Sequence, residues 1–260
     1  MVIGCGGVGS FAAEALARTG VGKISLVDFD LVCVTNANRQ LHAMRGTIGR
    51  AKVDVMAERL KLIHPTSEIA AIAEFYNHET SDQLLALNPT VIIDAIDNLT
   101  AKSHLLVQCK ERGLLVVSAM GAAARMDPTK VRVDDLARTR NDPFAAALRS
   151  ILREKYQWEF KHTRPLGIAA VYSEELPIAP SALSYDADEG FHCVCPQSDN
   201  GLHTCEKRSR IEGSVSWVTG TFGLVTASVA VRLALENSSM KERNISQNLD
   251  ASLTSHRTTE

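Results

Sequence analysis

Chemistry in this chain is concentrated near its start, in glycines, carboxylates and two cations. Gly4, Gly6, Gly7 and Gly9 fall in the run Gly4-Cys5-Gly6-Gly7-Val8-Gly9-Ser10, directly before an alanine-rich helical segment. A glycine turn at a helix start leaves backbone N–H groups pointing outward, and the helix dipole adds positive potential there, so a phosphate is the group such a turn holds. The phosphate site is therefore expected at Gly6 to Ser10. Asp28 and Asp30 close the next apolar run, Leu26-Val27. Asp28 stands at about the distance from the glycines at which a carboxylate meets a ribose hydroxyl in dinucleotide folds. On those residues alone a nicotinamide-dependent dehydrogenase fits as well as anything else.

The residues that follow ask for more than a nicotinamide site needs. Asn36, Asn38, Arg39 and Gln40 form an amide-rich turn, Lys52 lies beyond it, and a second acidic turn reads Asp94-Ala95-Ile96-Asp97-Asn98. A nucleoside triphosphate with magnesium does call for such a set: cations for the phosphates and a carboxylate for the metal. Arg39, Lys52 and Asp97 are the expected catalytic residues, with Asp97 as the Mg2+ ligand. Lys52 falls in the first turn of a helix expected over residues 49–64. A cation there opposes the helix dipole, and an anionic ligand explains it better. Asp94 reads equally as a turn residue or a ligand. Thr100 is available to cap the next helix, which leaves Asp97 for the metal.

The elements that must position these groups are legible from periodicity. Helices are expected over residues 11–20, 49–64, 82–87 and 101–112, and strands over 23–28, 67–73, 90–94 and 114–118. Strand and helix thus alternate as in a Rossmann-like α/β fold with a mostly parallel sheet, whose ligands lie at the carboxyl ends of the strands. Residues 1–124 form the nucleotide-binding half. Residues 125–236 form a second half of the same domain, with strands at 130–133 and 167–172 and a helix from Pro143 to about Lys155. The Ser-, Asn-, Lys- and Glu-rich residues 237–260 read as a disordered tail. Residues 214–231 carry no charge, but their many Ser, Thr and Gly fit a buried helix better than a membrane span.

Composition sets the outer bounds. The chain has 260 residues, 45% hydrophobic and 22% charged, with a formal net charge of −2, which gives no global attraction to nucleic acid or an anionic membrane. Any RNA contact must come from a local patch, and residues 125–165 hold ten Lys or Arg against six Asp or Glu. Six scattered cysteines do not make a disulfide framework. Cys193, Cys195, His203 and Cys205 are zinc candidates by residue type, although the Cys-x-x-Cys pairs usual in structural sites are missing.

The glycine turn, Asp28-x-Asp30, Asn36-x-Asn38-Arg39-Gln40, Lys52 and Asp97-Asn98 together resemble the adenylation core of the ubiquitin-activating-enzyme-like superfamily. More narrowly, the stretches 15–20, 32–36, 134–137 and Val171-Tyr172-Ser173-x-Glu175 look like the tRNA threonylcarbamoyladenosine dehydratase family. That resemblance runs from about Val2 to about Leu235. It implies ATP and Mg2+ as cofactors, with Gly4, Gly6, Gly7, Gly9, Asp28, Asp30, Asn36, Arg39, Lys52, Asp97 and Asn98 around the nucleotide. Arg39 and Lys52 would face the transferring phosphorus, and Asp28 the ribose. It also implies a tRNA carrying threonylcarbamoyladenosine as substrate, a homodimer, a possible sulfur-relay protein partner and a cytoplasmic location. Only three residues precede Gly4, so the chain reads as shortened relative to that family. An upstream arginine would be absent with that segment, and an organellar location is open if it carries a targeting signal. Activation of a ubiquitin-like or sulfur-carrier protein would use the same ATP residues, and a non-catalytic binding form would keep the fold.

Overall fold

The computed structural model describes residues 1–161, 163–179 and 212–256. Seven strands form one sheet: β1 (Val2–Ile3), β2 (Lys23–Val27), β3 (Glu68–Ile72), β4 (Ile92–Asp94), β5 (Val116–Ala119), β6 (Val131–Asp135) and β7 (Ala169–Ser173). Their order is β3-β2-β1-β4-β5-β7-β6. All pairings are parallel except β6 with β7. The chain begins at the centre and winds first to one side, then to the other. The switch point lies between β1 and β4, and a crevice outside the carboxyl ends of those strands is where such a sheet receives a ligand.

The helices are α1 (Gly9–Arg18), α2 (Lys52–Ile63), α3 (Ser81–Leu85), α4 (Leu99–Arg112), α5 (Pro143–Tyr156) and α6 (Ser216–His256). Adjacent strand residues point to opposite faces of the sheet, and each face has its own core. Ile3, Ile92 and Val116 join Leu84, Leu105, Leu106, Leu148 and Leu152 under α3, α4 and α5. Val2, Ile93 and Val117 join Ala12, Ala13, Met56, Leu60, Phe222 and Ala230 under α1, α2 and α6. The central strands β1, β4 and β5 are buried throughout and are mainly apolar, as strands covered on both faces must be.

Helix α6 extends beyond expectation. Its charge-free first part packs Val218, Phe222 and Ala230 into the core while Trp217 and Leu224 are exposed. By length and composition residues 216–239 would suffice to cross a membrane, and half of the most apolar window is buried in the protein. Where composition predicts a disordered tail from residue 237, the helix continues to His256. No Gly or Pro lies between residues 224 and 256, so nothing in the chain itself interrupts the i to i+4 ladder.

Candidate nucleotide site

The four glycines of the opening turn do two different jobs. Gly4 has φ +91°, and a Cβ on it would stand 2.6 Å from the Ala95 carbonyl oxygen. A Cβ on Gly9 would fall 1.8 Å from the carbonyl oxygen of Gly4. These two let the turn fold on itself and touch the acidic turn after β4. Gly6 and Gly7 face the Arg39-Gln40 turn instead: a Cβ on Gly6 would be 3.9 Å from Gln40 Nε2, and one on Gly7 would be 3.2 Å from Arg39 Cγ. Helix α1 has no side-chain cap, and its Ser10 N–H donates to the Gly6 carbonyl at 3.1 Å. Opposite Gly9, Gly220 and Gly223 bring α6 against α1, and a Cβ on Gly223 would be 2.4 Å from the Val8 carbonyl oxygen.

Asp28 braces the turn from the end of β2. The Cys5 N–H donates to its Oδ2 at 2.6 Å and the Asp30 N–H to its Oδ1 at 2.8 Å. Burial pushes the Asp28 pKa up, and the Asp30 charge adds to this against the pull of Lys52. Lys52, the first residue of α2, places Nζ 2.6 Å from Asp30 Oδ2. Burial works against the ammonium, but Asp28, Asp30 and more distantly Asp97 outweigh it and hold its pKa above the usual lysine value. The anion that the helix position predicts for Lys52 is thus supplied within the chain by Asp30. Asp97 is exposed on the acidic turn, within electrostatic reach of Lys52. One exposed carboxylate near a glycine turn would fit magnesium, since that ion takes most of its oxygens from phosphates and water.

The amide turn is shaped by its own asparagines. Asn36 Oδ1 accepts from the Cys33 N–H at 3.0 Å. Asn38 Nδ2 donates to the Ser214 carbonyl at 2.8 Å, tying the turn to the start of α6. Arg39 Nη1 donates to the Thr35 carbonyl and to Asn38 Oδ1 at 3.0 and 2.9 Å, with its stem across Gly7. Asn98 caps α4 by accepting from the Ala101 N–H at 3.0 Å, the role that Thr100 was expected to fill.

Sequence reasoning missed the groups beneath these loops. Lys102 is wholly buried, with Nζ 2.8 Å from Asp94 Oδ2 and 2.9 Å from the Ile96 carbonyl. Ser118 Oγ donates to the same carboxylate at 2.6 Å. Asp94 is therefore the structural residue of the acidic turn, and Lys102 holds the backbone beside Asp97. Arg125 pairs with Asp142 at 3.1 Å, and Asp142 also caps α5 and accepts from the Gly121 N–H at 3.2 Å. Gln40 Oε1 and both ring nitrogens of His42 are buried with no hydrogen-bond partner among the described residues. A lysine inside an amphipathic helix, or an imidazole two residues past a motif, gives no one-dimensional signal of such surroundings.

The structure thus brings Gly6, Gly7, Asp28, Asp30, Arg39, Lys52 and Asp97 to one edge of the sheet. The zinc candidates Cys193, Cys195, His203 and Cys205 lie outside the described residues. Among the described residues no group of three or more His, Cys, Asp or Glu could hold a metal on its own.

Comparison with known proteins meets this geometry. The sequence pattern of the ThiF family matches residues 1–259. The tRNA threonylcarbamoyladenosine dehydratase of Escherichia coli K12 is 39% identical over 89% of this chain and 84% of its own. That of Bacillus subtilis 168 is 45% identical over 68% of this chain and 67% of its own. The crystal structure of the E. coli enzyme, TcdA, in complex with ATP superposes with a TM-score of 0.78 at 36% identity, covering 92% of this chain and 86% of that one.

Proposed function

The chain belongs to the ThiF family, and we propose that it is an ATP-dependent adenylating enzyme acting on the threonine carboxylate of threonylcarbamoyladenosine in tRNA. The observation that carries this reading is the direct contact between the glycine turn and the acidic turn at the switch point, with Arg39 lying over Gly7 and Lys52 close by. The named dehydratases and the ATP complex of TcdA support the choice of substrate.

In this reading the amides of residues 6–9 hold the phosphates, and Arg39 and Lys52 offset the charge that develops at the α-phosphorus. Asp28 faces the ribose. Magnesium, held by Asp97, would neutralise phosphate charge and orient the leaving pyrophosphate. A carboxylate oxygen of the substrate attacks the α-phosphorus, forming an O–P bond as the bond to pyrophosphate breaks. The substrate's own carbamoyl group then attacks the acyl carbon, AMP departs, and the nucleoside has lost one water. No enzyme thiol is needed. Cys5, Cys33 and Cys109 are buried. Burial holds the Cys5 thiol well above its usual pKa and pushes Cys109 up to about 12, the opposite of a poised nucleophile. The reading includes a homodimer, and a core rather than membrane role for α6.

Incubation with ATP, magnesium and tRNA bearing threonylcarbamoyladenosine tests it. The expected result by mass spectrometry is a nucleoside lighter by one water, with AMP and pyrophosphate released. Unchanged nucleoside alongside strong pyrophosphate exchange dependent on a carrier protein would overturn the substrate assignment.

A further inference from the structure

The positive excess of residues 125–165 separates by place in the fold. Arg125 is buried against Asp142, Arg132 and Arg140 pair with Glu174, and Arg138 pairs with Asp134. Those guanidinium groups serve the fold. Lys130 lies just before β6 and Arg149 binds the Leu136 carbonyl and Thr139 Oγ1, while Arg153, Lys155, Lys161 and Arg164 gather where α5 ends. Gln157 takes a left-handed φ of 56°, and the chain turns back so that Trp158 and Phe160 lie beside the last turn of α5. The result is an open cleft of about 400 Å³ lined by Arg153, Gln157, Trp158, Glu159, Phe160 and Lys161.

Its walls alternate cations with rings. The Arg153 guanidinium carbon is 5.6 Å from the Phe160 ring centre, and Lys110 Nζ is 4.3 Å from that of Trp158. Both rings rest against the core on their inner side. Arg153, Lys155, Lys161 and Arg164 are exposed, against Glu154 and Glu159. Glu159 is matched by Lys161 at 2.8 Å. Among the described residues Arg153 has no carboxylate partner. Cations for phosphates, with aromatic and guanidinium planes for unstacked bases, are what single-stranded or loop RNA recognition requires. An acidic peptide would use the charges and leave the rings idle.

We propose that this cleft is an RNA-binding surface that takes nucleotides of the substrate tRNA other than the one being activated. The proposal rests on the function given above. Asp142 caps the start of α5 and accepts from the Gly121 N–H just past the carboxyl end of β5, the strand beside β4. The 14 residues of α5 carry the chain about 20 Å away, or roughly six stacked nucleotides at ~3.4 Å each. One tRNA can therefore span the two places, and the chain's small net negative charge makes a local anchor of this kind necessary.

The test is tRNA binding by the full chain across a salt series. R153E/K161E should bind tRNA at least about tenfold more weakly, with a salt dependence reduced by about two phosphate contacts. ATP affinity and thermal midpoint should be unchanged. Phe160→Leu, which keeps an apolar contact with the core, should weaken loop-RNA binding about fivefold or more through lost stacking. Wild-type affinity and salt slope in R153E/K161E would overturn the surface. So would a charge-reversed variant that loses an acidic peptide but retains tRNA. A wild-type chain that binds no tRNA at any salt would instead overturn the proposed substrate.

Discussion

Replacing Lys102 with methionine tests the positioning of the acidic turn. Lys102 and Asp94 are each 0% exposed, and their charges meet at 2.8 Å. Methionine fills most of the same volume but leaves the Asp94 carboxylate facing only Ser118 Oγ and the Ile96 N–H, at 2.6 and 3.1 Å. Stranding one partner of a buried pair costs about 3–5 kcal/mol, a large share of the roughly 5–15 kcal/mol that holds such a domain folded. Denaturant titration should report that loss. The Ile96 carbonyl also loses its donor, so the backbone beside Asp97 loosens, and ATP–pyrophosphate exchange should fall at temperatures where the variant is still folded. The double variant D94L/K102M removes both charges and should regain most of the stability without regaining exchange. A loss under about 1 kcal/mol in the single variant would refute the pairing. Full exchange in the double variant would refute the positioning role.

Three further outcomes follow from the same geometry. Asp97→Ala should abolish turnover and leave the unfolding transition in place, and retained activity would mean that the metal carboxylate lies elsewhere. Gly223→Ala should push α6 off α1, because the new Cβ meets the Val8 carbonyl at 2.4 Å; about 1–3 kcal/mol of stability and ATP affinity should fall together, and no change in either would refute the tight contact. His42 is buried and its pKa is lowered to about 3, by burial first and Lys52 second, from an ordinary 6.5. Between those values the unfolded chain binds a proton that the native one excludes, so stability falls as pH drops, by up to about 1.4 kcal/mol per pH unit. His42→Leu should lose that part of the slope, and a slope identical to wild type would place a partner on the ring.

What the sequence discloses depends on how local the signal is. The glycine turn, Asp28-x-Asp30 and the acidic turn are contiguous motifs at strand ends, so their meeting at the switch point follows once strand order is inferred from alternating β and α. The strands of the first half fall within a few residues of expectation because buried parallel strands are plain apolar runs. Asp94 and Asp97 look alike in one dimension, and only the distant Lys102 and Ser118 separate the buried brace from the exposed carboxylate. That Gln40 and His42 are buried without a partner escapes one dimension for the same reason: being orphaned inside the protein is a property of packing. The basic stretch 125–165 divides only when its partners, Glu174 among them, are brought close by the antiparallel return of β6 to β7. Polar composition says little about a segment that extends a helix already begun, as residues 237–256 extend α6.

Three buried or half-buried ion pairs sit under the three loops around the switch point, and their placement argues against a role in stability. Lys52 with Asp30 holds the loop after β2, Lys102 with Asp94 the loop after β4, and Arg125 with Asp142 the loop after β5. Burying such pairs brings little net stability, and apolar replacements of similar volume are often neutral or better. What a pair supplies that an apolar contact cannot is direction. Lys102 fixes a carbonyl beside Asp97, Asp142 fixes the Gly121 amide, and Asp30 keeps the Lys52 ammonium charged and aimed before any phosphate arrives. Phosphoryl transfer depends on charges already oriented when the reaction begins. An apolar substitution of all three pairs should therefore give a chain that melts no earlier and adenylates far more slowly. Stability and turnover falling in step across the three pairs would show instead that the pairs hold the fold and that the loops take their geometry from elsewhere.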